Sequence, residues 1–133
     1  MIRQSIDING YWKVIVYYNV NYNLFAYITN DLLVINISSK TINRIYKNLG
    51  SKKAKAVTIS NIDLKTSIVL FNTHKNKYDY ISSIVHEAEH IKQAMLKAYN
   101  VPDKDEAPAY TIGFLVMKML EKKILNMLGL KNS

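Results

Sequence analysis

The sequence predicts an α+β domain with a small antiparallel or mixed sheet, one short helix and two long C-terminal helices. Segments rich in β-branched and aromatic residues come first, a capped amphipathic segment interrupts them, and apolar residues recur at helical spacing after residue 77. Strands followed by a run of helices are typical of an α+β fold, with the helices packed on one face of the sheet. The 133 residues are enough for one compact domain, which we predict over residues 1–133.

The first predicted elements form a β-hairpin. Residues 4–8 alternate polar and apolar, Asn9-Gly10 follows, and residues 11–18 are rich in β-branched and aromatic side chains. An Asn-Gly pair between two such segments predicts a type I′ turn. Residues 24–37 are ambiguous, and one or two short strands around Asn30-Asp31 are the expectation there.

The remaining elements follow from caps and periodicity. A short helix is predicted over residues 38–50, which a serine begins and Gly50 ends. Strands are predicted over residues 54–60 and 66–71. A long helix should follow from about residue 78 to 99, and a last helix from about 106 to 128, with Pro108 in its first turn.

Composition excludes several classes of protein. The chain has no cysteine, so disulfides and thiolate chemistry are excluded, and any zinc must be held by His, Asp or Glu. The N-terminus has no signal-peptide pattern. The longest apolar stretch, residues 109–120, is too short and too interrupted to span a bilayer. No membrane association and a cytoplasmic location are the expectations, and the oligomeric state is left open.

The charges are unevenly distributed. The net charge is +8, but the lysines are scattered and cluster only at residues 51–55, with no nucleic-acid-binding motif. Nucleic acid is therefore not the predicted partner, although an accessory protein that binds it remains an alternative on charge alone. Five of the ten Asp and Glu residues lie between positions 87 and 106, close to two histidines. This concentration of carboxylates favours a cation site.

His86-Glu87-Ala88-Glu89-His90 matches the pattern H-E-x-x-H. Residues four apart on a helix lie one turn along and only about 40° round, so both imidazoles can reach one ion. Glu87 lies beside the first histidine but well round the helix, where it can hold a water without being a ligand. The spacing predicts a zinc site.

The helical wheel places this histidine pair opposite an apolar arc. The arc consists of Ile81, Ile84, Val85, Ala88, Ile91, Ala94, Met95 and Ala98. The competing interpretation is therefore a pair of solvated surface histidines. A catalytic zinc site needs another element to cover the histidines and form a cleft.

A catalytic zinc site also needs a third protein ligand. The candidates are His74 upstream and Asp103, Asp105 and Glu106 downstream. We favour Glu106, because packing can fix a residue at the start of a helix. It begins a stripe with Tyr110, Gly113 and Met117, in which Gly113 would let two helices approach closely. The alternative is that Glu106 only stabilises the helix dipole.

"HEAEH" followed 16 residues later by "EAPAY" resembles the gluzincin branch of zinc metallopeptidases, and in particular its minimal members, the minigluzincins. The sequence is also similar to small HExxH proteins of phage and mobile elements in gut bacteria. The motif part covers about residues 78–117. The resemblance implies a single zincin-like domain that acts as a zinc metallopeptidase on a peptide or protein substrate.

The resemblance also implies roles for individual residues. His86, His90 and Glu106 would bind Zn²⁺, and Glu87 would be the general base. Tyr110 or His74 would stabilise the oxyanion. Residues 66–71 or 54–60 would form the edge strand that pairs with an extended substrate. The alternative function is a catalytically weak or inactive metal-stabilised module that binds a partner protein.

Overall fold

The computed structural model describes residues 1–104 and 106–130, without the side chains of residues 106 and 107. Contacts divide the chain into two compact units, Met1–Thr73 and His74–Ser133. The predicted α+β class is confirmed, because a four-stranded mixed sheet occurs together with several helices. No helix among the described residues is both long enough and apolar enough to cross a membrane.

The sheet belongs to the first unit. Its strands are β1 (Ile2–Ile8), β2 (Trp12–Tyr18), β3 (Ala56–Asn61) and β4 (Thr66–Phe71), in the spatial order β1-β2-β4-β3. The β1–β2 and β3–β4 pairs are antiparallel, and β2 pairs with β4 in parallel. Strand β4 therefore has a neighbour on each side. The expectation that it could serve as an edge strand for substrate is wrong, whereas β3 does lie at an edge.

The predicted hairpin turn is confirmed. Asn9 and Gly10 both have positive φ, 50° and 76°, as a type I′ turn requires. The backbone N–H of Tyr11 donates to the carbonyl of Ile8 at 2.8 Å. Ile8 pairs with Trp12, so the loop is one residue longer than the minimal two-residue connection.

The strands expected within residues 24–37 are wrong. A 3-10 turn at Tyr22–Leu24 leads into helix α1, Phe25–Val34. Phe25, Ile28 and Leu32 are buried at i, i+3 and i+7, which is the spacing of one helical face. The β-branched residues and the Asn-Asp pair suggested strands, but burial of this apolar face decides the structure.

Helix α2, Ser39–Gly50, confirms the predicted short helix. The Ser38 side chain accepts a hydrogen bond from the backbone N–H of Thr41 at 3.2 Å, so it caps the helix as expected. Helices α1 and α2 pack on one face of the sheet. The core of the first unit consists of Ile15, Tyr17, Val20, Phe25, Ile28, Leu32, Ile35, Ile42, Ile45, Leu49, Ile68 and Leu70.

The second unit contains helices α3 (Lys77–Tyr99), α4 (Glu106–Met119) and α5 (Lys122–Met127). The long helix α3 is confirmed, and Asn100 ends it in the left-handed conformation (φ 53°). The single last helix over residues 106–128 is wrong, since the chain leaves helical geometry at Glu121 (ψ 140°). The sequence has no Gly or Pro at this break. The apolar spacing continues through it, and for that reason a single helix was predicted.

Helices α3 and α4 pack against each other as an antiparallel hairpin. The buried hydroxyl of Tyr80, in the first turn of α3, donates to the carbonyl of Met119 at the end of α4, at 2.9 Å. At the other end of the hairpin, Asp103 in the connecting loop binds Lys92 of α3. These two contacts hold α3 on both sides of the H-E-x-x-H segment, at Tyr80 before it and at Lys92 after it.

Candidate metal centre

Helix α3 presents the two histidines to solvent because its opposite side is anchored. Tyr80, Ile84, Ala88 and Ile91 are almost completely buried, at 0–1% exposure. The predicted apolar arc is therefore largely confirmed. Val85 departs from it, since 48% of its surface is exposed.

The imidazoles of His86 and His90 face each other across one helical turn. Their Nε2 atoms are 3.1 Å apart, and their ring planes are inclined at 82°. Two nitrogens that each lie about 2.0–2.1 Å from one tetrahedral zinc ion would be about 3.3 Å apart. The pair thus has the separation that two ligands of one zinc require. The same distance also suits a hydrogen bond between the rings when one of them is protonated on Nε2.

Glu87 lies close to this pair but is shielded from water. Only 4% of its surface is exposed, and its Oε2 is 4.0 Å from Nε2 of His86, whose own side chain is 70% exposed. The carboxylate therefore approaches the histidine nitrogens from the buried side of the helix. This position suits a base that acts on a water molecule beside the metal rather than a third ligand.

Two alternative third ligands are engaged elsewhere. The Nε2 of His74 is 2.8 Å from the hydroxyl of Ser83, and its ring packs edge-on against Tyr80. Asp103 binds Lys92 at 2.9 Å and Gln93 at 3.3 Å. Within residues 1–104 and the described part of 106–130, no group of three His, Cys, Asp or Glu side chains is placed to hold a metal ion.

The ion pairs beside the histidines form a small network around Lys92. Its ammonium lies 2.9 Å from Asp103 and also 2.9 Å from Glu89, so the two carboxylates raise the pKa of this lysine. Lys92 in turn lowers the pKa of Asp103. Hydrogen bonds from Gln93 and then Lys92 lower the pKa of Glu89. Glu89, the second acid of the H-E-x-x-H segment, therefore pairs with Lys92 and Gln93.

The favoured third ligand lies outside the described side chains. Glu106 begins α4, and only its backbone is described, while Asp105 is not described. The rest of the predicted stripe faces outward, with Tyr110 73% and Met117 58% exposed. Gly113 is also exposed, and a Cβ added there would meet nothing within 4 Å. The expectation that Gly113 permits a close helix approach is wrong, and the proposed role of Tyr110 stays a prediction.

Sequence reasoning missed the hydrogen bond between His74 and Ser83 and the salt bridge between Lys92 and Asp103. In each pair, one residue lies in a loop and the other in helix α3, so no spacing within one element predicts the contact. The sequence signal that could have revealed the salt bridge is a lysine on the buried side of α3. Lys92 is only 8% exposed, and a buried lysine needs a carboxylate partner.

Comparison of the chain with protein-family models, with curated proteins and with solved structures found no match. Candidate roles for its residues therefore come from the chemistry and geometry of the H-E-x-x-H segment itself.

Proposed function

We propose that this protein is a zinc-dependent peptidase of gluzincin type, with His86 and His90 as zinc ligands and Glu87 as general base. The observation that carries the proposal is the arrangement of three groups on helix α3. Two Nε2 atoms lie 3.1 Å apart on the exposed side, and a buried carboxylate oxygen lies 4.0 Å from one of them. Glu106 is the proposed third ligand, and Tyr110 the proposed donor to the oxyanion.

The proposed site residues would have separate roles in amide hydrolysis. Bound zinc would supply Lewis-acid polarisation of the scissile carbonyl and would make water more acidic. Glu87 would take the proton of the attacking water and then deliver it to the leaving amine. Burial of Glu87 keeps its carboxylate oriented and away from bulk water, so that proton transfer stays local.

The exposure of the histidine pair limits the kind of substrate that the site can bind. The side chain of His86 is 70% exposed, so the ligand face of α3 is open to solvent. An open site can receive an extended peptide segment, but it provides few contacts for holding a folded protein rigidly. We therefore propose unstructured peptide segments as the substrate, in the cytoplasm.

The same exposure favours a second candidate function. A catalytic zinc normally lies in a cleft with three protein ligands, and the described residues supply two beside an open surface. A metal-stabilised module that binds a partner protein through this surface fits such a site without catalysis. The presence of Glu87 favours the enzyme, because a purely structural site needs no base.

Zinc binding and peptide hydrolysis together distinguish these functions. The full chain is stripped with a chelator, titrated with Zn²⁺ by calorimetry, and incubated with a mixture of unstructured peptides analysed by mass spectrometry. One zinc per chain with zinc-dependent cleavage supports the peptidase. One zinc without cleavage supports the binding module, and no saturable zinc binding contradicts both.

A further inference from the structure

A second chemically distinct surface lies in the first unit, on helix α2 and the loop after it. From Leu32 to Ile62 the chain contains no Asp or Glu. The same stretch carries six basic residues, all of them exposed. We call this set the basic ridge: Lys40, Arg44, Lys47, Lys52, Lys53 and Lys55.

The packing of α2 determines the direction of the three basic residues that this helix contributes to the ridge. The helix buries Ile42, Ile45 and Leu49 in the core of the first unit. Its three basic residues recur at i, i+4 and i+7, so they share an arc of about 60° on the side opposite the core. Their α-carbons extend over about 10 Å of the helix axis. The result is a row of cations along the outer crest of α2.

The other half of the ridge is on a loop that is anchored to α2. The backbone N–H of Ala54 donates to the carbonyl of Asn48 at 3.2 Å. The buried side chain of Asn72 donates to the carbonyls of Leu49 and Ala54, each at 3.0 Å. Lys52 lies 5.3 Å from the ring centroid of Tyr22. The loop backbone that carries these lysines is therefore fixed beside the C-terminal end of α2.

The stretch that carries the ridge differs from the rest of the chain in its charge balance, since residues 32–62 hold six basic and no acidic side chains and the remaining residues hold twelve basic and ten acidic ones. Arg3, Lys92 and Lys118 each have a carboxylate within 3.3 Å. By contrast, no described carboxylate forms a salt bridge with the three basic residues of α2 or with Lys53. The net charge of +8 is therefore concentrated on this surface, although the basic residues are scattered in the sequence.

We propose that the basic ridge binds the phosphodiester backbone of nucleic acid without sequence preference. Three exposed neighbours of the crest are polar, Asn43, Asn48 and Ser51, and one exposed aromatic residue of α2, Tyr46, lies farther round the helix. Lys, Arg, Asn and Ser are the side chains that contact phosphates. The central part of a protein–protein interface is instead depleted of lysine and enriched in aromatic residues. This composition favours a phosphate backbone over an acidic protein, and the proposal does not depend on the zinc site.

The test compares two charge-matched triple variants in fluorescence anisotropy titrations with a short labelled DNA, single-stranded and duplex. One variant removes the α2 crest (Lys40→Ala, Arg44→Ala, Lys47→Ala). The control removes three exposed lysines of the second unit (Lys75→Ala, Lys97→Ala, Lys104→Ala). Circular dichroism verifies that each variant is folded.

The crest variant should bind at least about tenfold more weakly at about 100 mM salt. In the duplex titration, the slope of the log association constant against the log salt concentration should be smaller by about 2.7, that is, about 0.9 for each lost phosphate contact. The control should lose less than about threefold. If the triple variant does not fold, Arg44→Ala alone should reduce the slope by about 0.9.

Three results would overturn the proposal. The first is that the wild-type chain binds no DNA at about 50 mM salt. The second is that both triple variants lose affinity equally, which would show that net charge alone determines binding. The third comes from a competition experiment in which unlabelled DNA and poly-glutamate each displace the labelled DNA. If poly-glutamate does so at a lower concentration of charge, the ridge binds an acidic protein instead.

Discussion

The Nε2 atoms of His86 and His90 lie 3.1 Å apart on the exposed side of helix α3. The four-residue spacing brings the two rings together, and the buried side of the helix holds them there. Tyr80, Ile84 and Ile91 are buried on that side, so the helix is not free to rotate the pair away from solvent. A metal ion could therefore bind without rearrangement of the backbone.

The first prediction concerns zinc affinity. His90→Ala should weaken Zn²⁺ binding by at least about a hundredfold, because one of two neighbouring imidazole ligands is lost. Lys97→Ala is the matched control, since Lys97 is exposed on the same side of α3 and should leave affinity unchanged. Calorimetric titration measures both. Equal affinities in the two variants would show that the pair is not a zinc site.

The second prediction separates the two downstream acids. Glu106→Gln should weaken zinc binding by at least about tenfold if Glu106 is the third ligand, because altering a ligand should cost no less than removing an outer-shell partner. Asp103→Asn should leave zinc affinity unchanged but lower the melting temperature, because it breaks the salt bridge with Lys92. Zinc titration and thermal unfolding of both variants check this. A loss of zinc in Asp103→Asn but not in Glu106→Gln would reverse the assignment.

The third prediction concerns the anchor between α3 and α4. Tyr80→Phe removes the hydroxyl that donates to the carbonyl of Met119, so a buried acceptor loses this hydrogen bond. We expect a decrease of about 1–2 kcal/mol in the free energy of unfolding. Tyr78→Phe, at a residue that is 76% exposed, should change it by less than about 0.5 kcal/mol. Urea denaturation measures both, and equal effects would contradict the anchoring role.

The fourth prediction is a pH dependence in the first unit. Burial and a hydrogen bond from its hydroxyl to Asp31 raise the pKa of Tyr17 to about 12. The folded chain therefore keeps this proton while the unfolded chain loses it near pH 10. The stabilisation is complete below about pH 10 and is lost as the pH rises through about 12.

Tyr17→Phe isolates this contribution from those of other groups that titrate at high pH. The wild type should be more stable by about 1 kcal/mol at neutral pH, and this difference should shrink above about pH 10. Urea denaturation of both proteins at several pH values is the measurement. A difference that stays constant or grows with pH would contradict the sign of the effect.

Local signals were sufficient for most of the fold. The Asn9-Gly10 turn, the Ser38 cap and the apolar spacing of α3 each specify an element without reference to the rest of the chain. Helix α1 was missed because its β-branched residues favour strands, and only the burial of Phe25 and Leu32 reveals its period. The strand order was open as well, since the parallel pairing of β2 with β4 joins segments distant in sequence.

For the candidate site, too, local signals were sufficient for only some of the contacts. The spacing of His86, Glu87 and His90 within one helix was enough to predict that they lie together. Partners from other elements were not predictable, because tertiary packing decides whether Asp103 faces a metal or a lysine. In the structure Asp103 binds Lys92, so the first acid downstream of the H-E-x-x-H segment already pairs with a cation. For the same reason, Glu106 as third ligand stays a prediction.

The most direct test of the proposed mechanism is peptide hydrolysis by zinc-loaded Glu87→Gln. The substitution conserves shape at a position that is 4% exposed, so the fold and the zinc affinity should be retained. Removal of the general base should lower the rate by about 10²- to 10⁴-fold, whereas Glu89→Gln, the control within the same segment, should change it only slightly. Activity of Glu87→Gln equal to that of the wild type, at equal zinc content, would contradict a catalytic role for Glu87.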